Sequence, residues 1–128
     1  MNPKREIVLS SNAPKALGPY SVANKVGNLV FTAGQTGLDP ITNELAPGGV
    51  EAETRQALTN LKHVLEAAGA SMEMVVKTTV FLRDMSDFSK MNSVYAEFFK
   101  ESFPARTTVQ ATPPRNGAVE IEVIAALP

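Results

Sequence analysis

Arg106 follows directly on Phe103-Pro104-Ala105, and Glu120 and Glu122 lie in the last strand-like run, VEIEVIA at 119–125. A guanidinium at the mouth of a strand offers a fork of donors that can clamp a carboxylate or phosphate through two hydrogen bonds. A carboxylate near such a clamp can orient water and accept a proton from it. Together the two groups suit the binding or hydrolysis of a small anion. Each also has a plainer reading. A strand arginine usually pairs with a neighbouring acid, and Glu120 could pair with Lys77 or sit solvated at an edge. Their setting favours chemistry, because the other positions of both runs are mostly apolar or small. A charge on a covered strand needs a partner, a water cavity or a ligand. Alternation puts Arg106, Thr108, Gln110 and Thr112 on one face of the first run. Glu120 and Glu122 share a face of the second, so position alone does not choose between them.

Other candidates are weaker. Tyr20 follows Gly18-Pro19 at a loop–strand junction, a place for a packing aromatic or a rim contact. Asn92 falls at the edge of a helical apolar stripe, where a satisfied packing asparagine and a ligand contact are equally expected. Gly34 within a strand signals a bulge or a close approach to the backbone. His63 is the only histidine and faces away from its helix's leucine stripe, so a solvent position is expected. Without cysteine, and with one histidine, the chain offers no Cys-His or Ser-His pair and no thiolate zinc site. Pro47-Gly48-Gly49 lacks the spacing and lysine of a phosphate loop. The methionines at 72, 74, 85 and 91 read as core filler.

Eight strands and helices must position these residues. Strands are expected over Arg5–Ser10, with Ile7 and Leu9 as the apolar pair, then Ser21–Val26, Leu29–Thr36 and Val75–Arg83, and in two runs of the tail. Gly27-Asn28 reads as a hairpin turn. Val50–Ala68 is a helix on the stripe Thr54, Leu58, Leu61, Leu65 and Ala68, with Glu51 and Glu53 complementing the dipole of its first turn. A second helix runs from an N-cap at Ser86 to about Glu101 on Phe88, Met91, Tyr95, Phe98 and Phe99. In Val75–Arg83, Val76, Thr78, Val80 and Leu82 share one face. The order ββ(β)-α-β-α-ββ implies an α+β fold with one sheet and two helices on one of its faces. The other face is left for a second copy of the chain, so a closed homo-oligomer is expected.

The totals bound the rest. A chain of 128 residues suits one domain over 1–128. Its apolar share of 44% and charged share of 20% are ordinary for a globular protein. A net charge of −1 gives no electrostatic draw toward nucleic acid or an anionic membrane. No stretch approaches the ~18 apolar residues of a membrane span. No signal-peptide pattern opens the chain, so a soluble, cytoplasmic protein is expected.

If the tail forms a simple hairpin, Arg106 and Glu120 sit ~13 Å apart along the sheet, and if another strand intervenes they sit ~10 Å apart laterally. Either spacing is too wide for one small substrate within a chain, whereas a contact between copies can close it.

The stretches APKALGPYSVA (13–23), FTAGQTGLDP (31–40), EAAGA (66–70), VVKTTVFLRDMSDFSKMNSVYAEFF (75–99), FPAR (103–106) and VEIEVIA (119–125) resemble the reactive intermediate deaminase family, RidA or YjgF, nearly end to end. The resemblance implies a chorismate-mutase-like mixed sheet, with the strand at 75–83 lying between the two tail strands. It also implies a homotrimer with ligand clefts between subunits. Relatives hydrolyse 2-imino acids, tautomers of 2-aminoacrylate and 2-aminocrotonate, to 2-oxo acids and ammonia without a cofactor. By position, Arg106 would clamp the substrate carboxylate and Glu120, rather than Glu122, would orient the attacking water. Tyr20 and Asn92 would line the cleft, and Gly34 and Thr108 would offer backbone groups. Ala33 and Thr108 stand where many relatives carry Ser and Cys. A non-catalytic binder of small carboxylates and a chorismate mutase of the same fold are the alternatives. A nuclease is disfavoured by the lack of a basic, aromatic-studded strip.

Overall fold

In the last strand, every second residue is apolar and branched or small, and that alternation sets the centre of the molecule. The computed structural model describes residues 4–128. Its strands are β1 (Arg5–Val8), β2 (Ala23–Val26), β3 (Leu29–Thr32), β4 (Gln35–Thr36), β5 (Val75–Leu82), β6 (Ala105–Gln110) and β7 (Val119–Ala126). Its helices are α1 (Gly49–Ala67) and α2 (Phe88–Phe98). The seven strands form one sheet in the order β1-β2-β3-β7-β5-β6, with β4 also paired to β7. β5 and β6 run parallel because α2 carries the chain back between them; the other pairings are antiparallel. The result is a mixed α+β fold with both helices on one face.

That face is the core. Val119, Ile121, Val123 and Ala125 of β7 are buried under α1, whose Leu58, Leu61 and Leu65 share one core cluster with Met91 and Tyr95 of α2 and with Phe99 just beyond it. α1 forms where leucine and alanine recur at helical spacing, and each residue of the expected stripe from Thr54 to Ala68 is buried. The first turn differs from expectation. Glu51 alone of the two acids stands there; Glu53 lies beyond it, buried, and its carboxylate accepts the N–H of Ala118 at 2.8 Å. That contact pins the entrance to β7.

Several local expectations change. In β1, pairing of Val8 with buried Ala23 turns Val8 inward and sends Ile7 and Leu9 to the open face, 60% and 84% exposed. A bulge at Val75/Lys77 lets Val75, not Val76, join the core. The expected strand Leu29–Thr36 breaks at Ala33-Gly34 into β3 and β4. Asp84, not Ser86, caps the turn before α2, its carboxylate accepting the Ser86 N–H at 2.9 Å, and the helix ends at Phe98. His63 is half-buried, its Nδ1 3.0 Å from the Asn12 carbonyl oxygen. Met85 is exposed rather than core.

Among the described residues no helix covers the other face of the sheet. Across it run Ile7, Asn24, Phe31, Ile124 and Lys77 in one paired row, Thr79 and Glu122 in the next, and Phe81 with Glu120 beyond.

Candidate active site

Register decides where the two charged groups lie. β5 does stand between β6 and β7. Arg106 pairs with Thr78 of β5, which pairs in turn with Val123 of β7. Glu120 pairs with Phe81, three residues further along β5. Paired residues share a face, and three is an odd step, so the two groups project from opposite faces of the sheet. They are also offset by roughly 10 Å along the strands and two strand spacings, about 10 Å, across them. The expected lateral spacing alone therefore understates their separation. One chain holds two half-sites, and no single chain brings them together.

The first half-site sits at the edge strand β6, on the helix side. Arg106 Nη1 donates to Asn92 Oδ1 at 2.8 Å, and its guanidinium lies 4.7 Å from the centre of the Tyr95 ring and 5.5 Å from that of Phe88. Phe88, Asn92 and Tyr95 recur at helical spacing, so α2 presents all three to the arginine. Tyr95 is held in turn, its hydroxyl 2.9 Å from Thr78 Oγ1. Burial pushes the Tyr95 hydroxyl above its ordinary pKa of 10.0, against the Thr78 hydrogen bond and the nearby Arg106 charge. Among the described residues no carboxylate pairs with Arg106. It is oriented by a neutral amide and two rings, and its charge is left for something else. Asn92 is thus the arginine's partner, and Tyr95 and Phe88 form a platform that their reading as core aromatics did not suggest. Phe103 and Pro104 flank the opening.

Thr108 follows Arg106 on the same face. Its Oγ1 is buried with no hydrogen-bond partner among the described residues. The Ala111 N–H donates inward to the Leu82 carbonyl at 2.9 Å, so the strand alternation turns the Thr108 N–H outward, away from β5.

The second half-site is a cleft of about 100 Å³ on the other face, lined by Tyr20, Gly34, Thr36, Arg115 and Glu120 among others. Glu120 is half-buried. Burial, and then repulsion from Glu122, raises its pKa above the ordinary 4.5. Lys77 is not its partner: that ammonium donates to the Thr78 carbonyl and to Thr107 Oγ1. Gly34 explains the break between β3 and β4. A Cβ there would lie 2.8 Å from both Cδ and Oε2 of Glu120, so only glycine lets the carboxylate rest against the backbone. Tyr20 is exposed at the rim, its hydroxyl accepting the Leu17 N–H at 3.3 Å. Among the described residues no three acidic or histidine side chains converge as a metal would require.

Gly34→Ala therefore tests the geometry directly. The added methyl should displace the Glu120 carboxylate, and a misplacement of about 1 Å in a reacting group lowers turnover by roughly 100-fold. The check is steady-state kinetics beside thermal unfolding. A fall in melting temperature with turnover intact would show that the contact is packing alone.

The sequence profile of the family described as Endoribonuclease L-PSP matches residues 10–127. A RutC family protein of Pyrococcus horikoshii is 52% identical over 122 residues, 94% of this chain and 97% of its own. A Bos taurus protein named 2-iminobutanoate/2-iminopropanoate deaminase is 49% identical over 122 residues, 94% of this chain and 89% of its own. The crystal structure of RidA from an Antarctic Psychrobacter superposes with a TM-score of 0.92 at 44% identity, covering 95% of this chain and 99% of that one.

Proposed function

The chain belongs to the Endoribonuclease L-PSP, or YjgF/RidA, family, and on that premise we propose that it hydrolyses small 2-imino acids to 2-oxo acids and ammonia. The observation that carries the proposal is the pairing of an unneutralised arginine at one sheet edge with a half-buried glutamate on the opposite face. Two such halves make one site when Arg106 of one copy meets Glu120 of a neighbour. A ring of three copies, each covering the open face of the next, gives three equivalent sites and buries Phe31, Ile124 and Phe81.

In this reading Arg106 takes the substrate carboxylate in a bidentate grip, joined by the outward N–H of Thr108. Glu120 holds a water against the imine carbon. As the oxygen–carbon bond forms, the carboxylate accepts a proton from the water and returns it to the nitrogen. The carboxylate then takes the hydroxyl proton of the resulting carbinolamine and passes it to the nitrogen as the carbon–nitrogen bond breaks, so ammonia leaves and the carbonyl remains. An imine carbon is already electrophilic, so positioning and one proton acceptor suffice. The deaminase name of the bovine relative supports this substrate class.

The test couples the protein to a serine/threonine dehydratase that releases the imine. Faster appearance of pyruvate or 2-oxobutanoate than with the dehydratase alone is expected. An unchanged rate at excess protein would end the proposal.

A pH profile follows from the same geometry. Glu120 works as a base when ionised, and its pKa lies above 4.5. The acid limb of kcat/KM should therefore fall at a higher pH than an ordinary glutamate gives. Glu122→Gln removes the like charge and should move that limb to lower pH, whereas an unmoved limb would assign it to another group.

A further inference from the structure

We propose that the Glu120 cleft selects substrates with a second anionic group, 2-imino dicarboxylates, and that Arg115 receives the distal carboxylate. The inference rests on the deaminase reading and narrows its substrate class.

Arg115 and Lys15 line the same cleft as Glu120, Tyr20 and Gly34, so two cations border one carboxylate in a chain whose net charge is −1. Neither cation is in a salt bridge among the described residues. In the proposed site Arg106 of the neighbouring copy is committed to one carboxylate. A ligand that engages both arginines must carry two.

The backbone at Arg115 adds an independent sign. Its φ of 57° and ψ of 23° are left-handed, and Asn116 follows with φ 55°. Asparagine tolerates that region; a long side chain there is strained and is retained only where the surroundings hold it. The surroundings do hold it. Arg83 Nη1 donates to the Asn116 carbonyl, the Gly117 N–H donates to the Pro114 carbonyl at 3.1 Å, and Arg115 Nη1 donates to the Asn43 carbonyl at 3.1 Å. A loop needing only to turn would carry glycine or asparagine at 115. This loop is braced to keep an arginine at the rim of the cleft, with donors to spare beyond Asn43.

The experiment compares 2-iminosuccinate with 2-iminopropanoate, each generated in situ by an amino-acid oxidase and followed by the loss of semicarbazide trapping. The variant is Arg115→Gln, which keeps a donor for the Asn43 carbonyl and removes the charge. The loss in kcat/KM should be about tenfold greater on 2-iminosuccinate than on 2-iminopropanoate, the size of one charge-assisted contact. The difference should shrink at high salt. Equal losses on both substrates would make Arg115 a loop staple, and no loss on either would make it a bystander; both results overturn the proposal. A binding arm separates this from the deaminase reading. Calorimetry with oxaloacetate and pyruvate should show the parent preferring the dicarboxylate and Arg115→Gln losing that preference. If that holds while neither imine is turned over, the hydrolase reading fails and the selectivity stands. If both imines are hydrolysed in a ratio that ignores Arg115, the reverse is true.

Discussion

Glu120→Gln is expected to lower kcat for imine hydrolysis by about 10²–10⁴-fold, the range of a positioned general base. The amide keeps the size of the side chain and its rest against Gly34, but accepts no proton from water. Binding of the 2-oxo acid product should change little, because in the proposed site the carboxylate grip belongs to Arg106. Stability should move the other way. The folded-state pKa of Glu120 is raised above 4.5, so folding favours the protonated form. The ionised form weighs against the native state, increasingly as pH rises through the raised value. At neutral pH the neutral amide removes that burden, and the melting temperature should hold or rise while turnover collapses. Single-turnover kinetics and calorimetry on one preparation check all three. Retained binding without turnover would separate an enzyme from a mere carboxylate binder, and full turnover would remove Glu120 from the mechanism.

Arg106→Ala should fail differently. Hydrogen bonds to charged groups contribute roughly 1.5–3 kcal/mol each. Losing two of them, about 3–6 kcal/mol, lowers kcat/KM by about 10²–10⁴-fold. The loss should appear in product binding as well as in turnover, unlike that of Glu120→Gln. Arg106→Lys should recover little of it. An ammonium lacks the planar fork and the stacking on Tyr95 that fix the guanidinium. If Arg106→Ala binds 2-oxo acids as the parent does, the carboxylate is held elsewhere and Thr108 and the rim residues become the candidates. Titration calorimetry with pyruvate decides it.

Much of the fold is legible along the chain because a covered strand or helix writes its burial as a period. The leucines of α1 and the branched residues of β7 place the core without coordinates. The misses occur where period meets pairing. Ile7 and Leu9 look like an inward pair, but an edge strand takes its facing from its one neighbour, and Val8 opposite Ala23 wins. Val76 belongs to an unbroken alternation that a bulge interrupts. Glu53 reads as a dipole partner, and only the packing of the segment before β7 against α1 reveals its bond to Ala118.

The candidate site divides the same way. Residue types and local spacing alone determined that Arg106 and the pair Glu120 and Glu122 are charges on strands otherwise mostly apolar or small, that Gly34 marks a bulge or a close approach, and that the sheet has a bare face. These are properties of neighbours a few bonds apart. The tertiary structure alone decided that Arg106 rests on Asn92 and Tyr95 without an acid, that Glu120 lies against Gly34, and that the two groups leave opposite faces of the sheet. Those facts depend on register between strands distant in the chain, where a shift of one residue turns every side chain over.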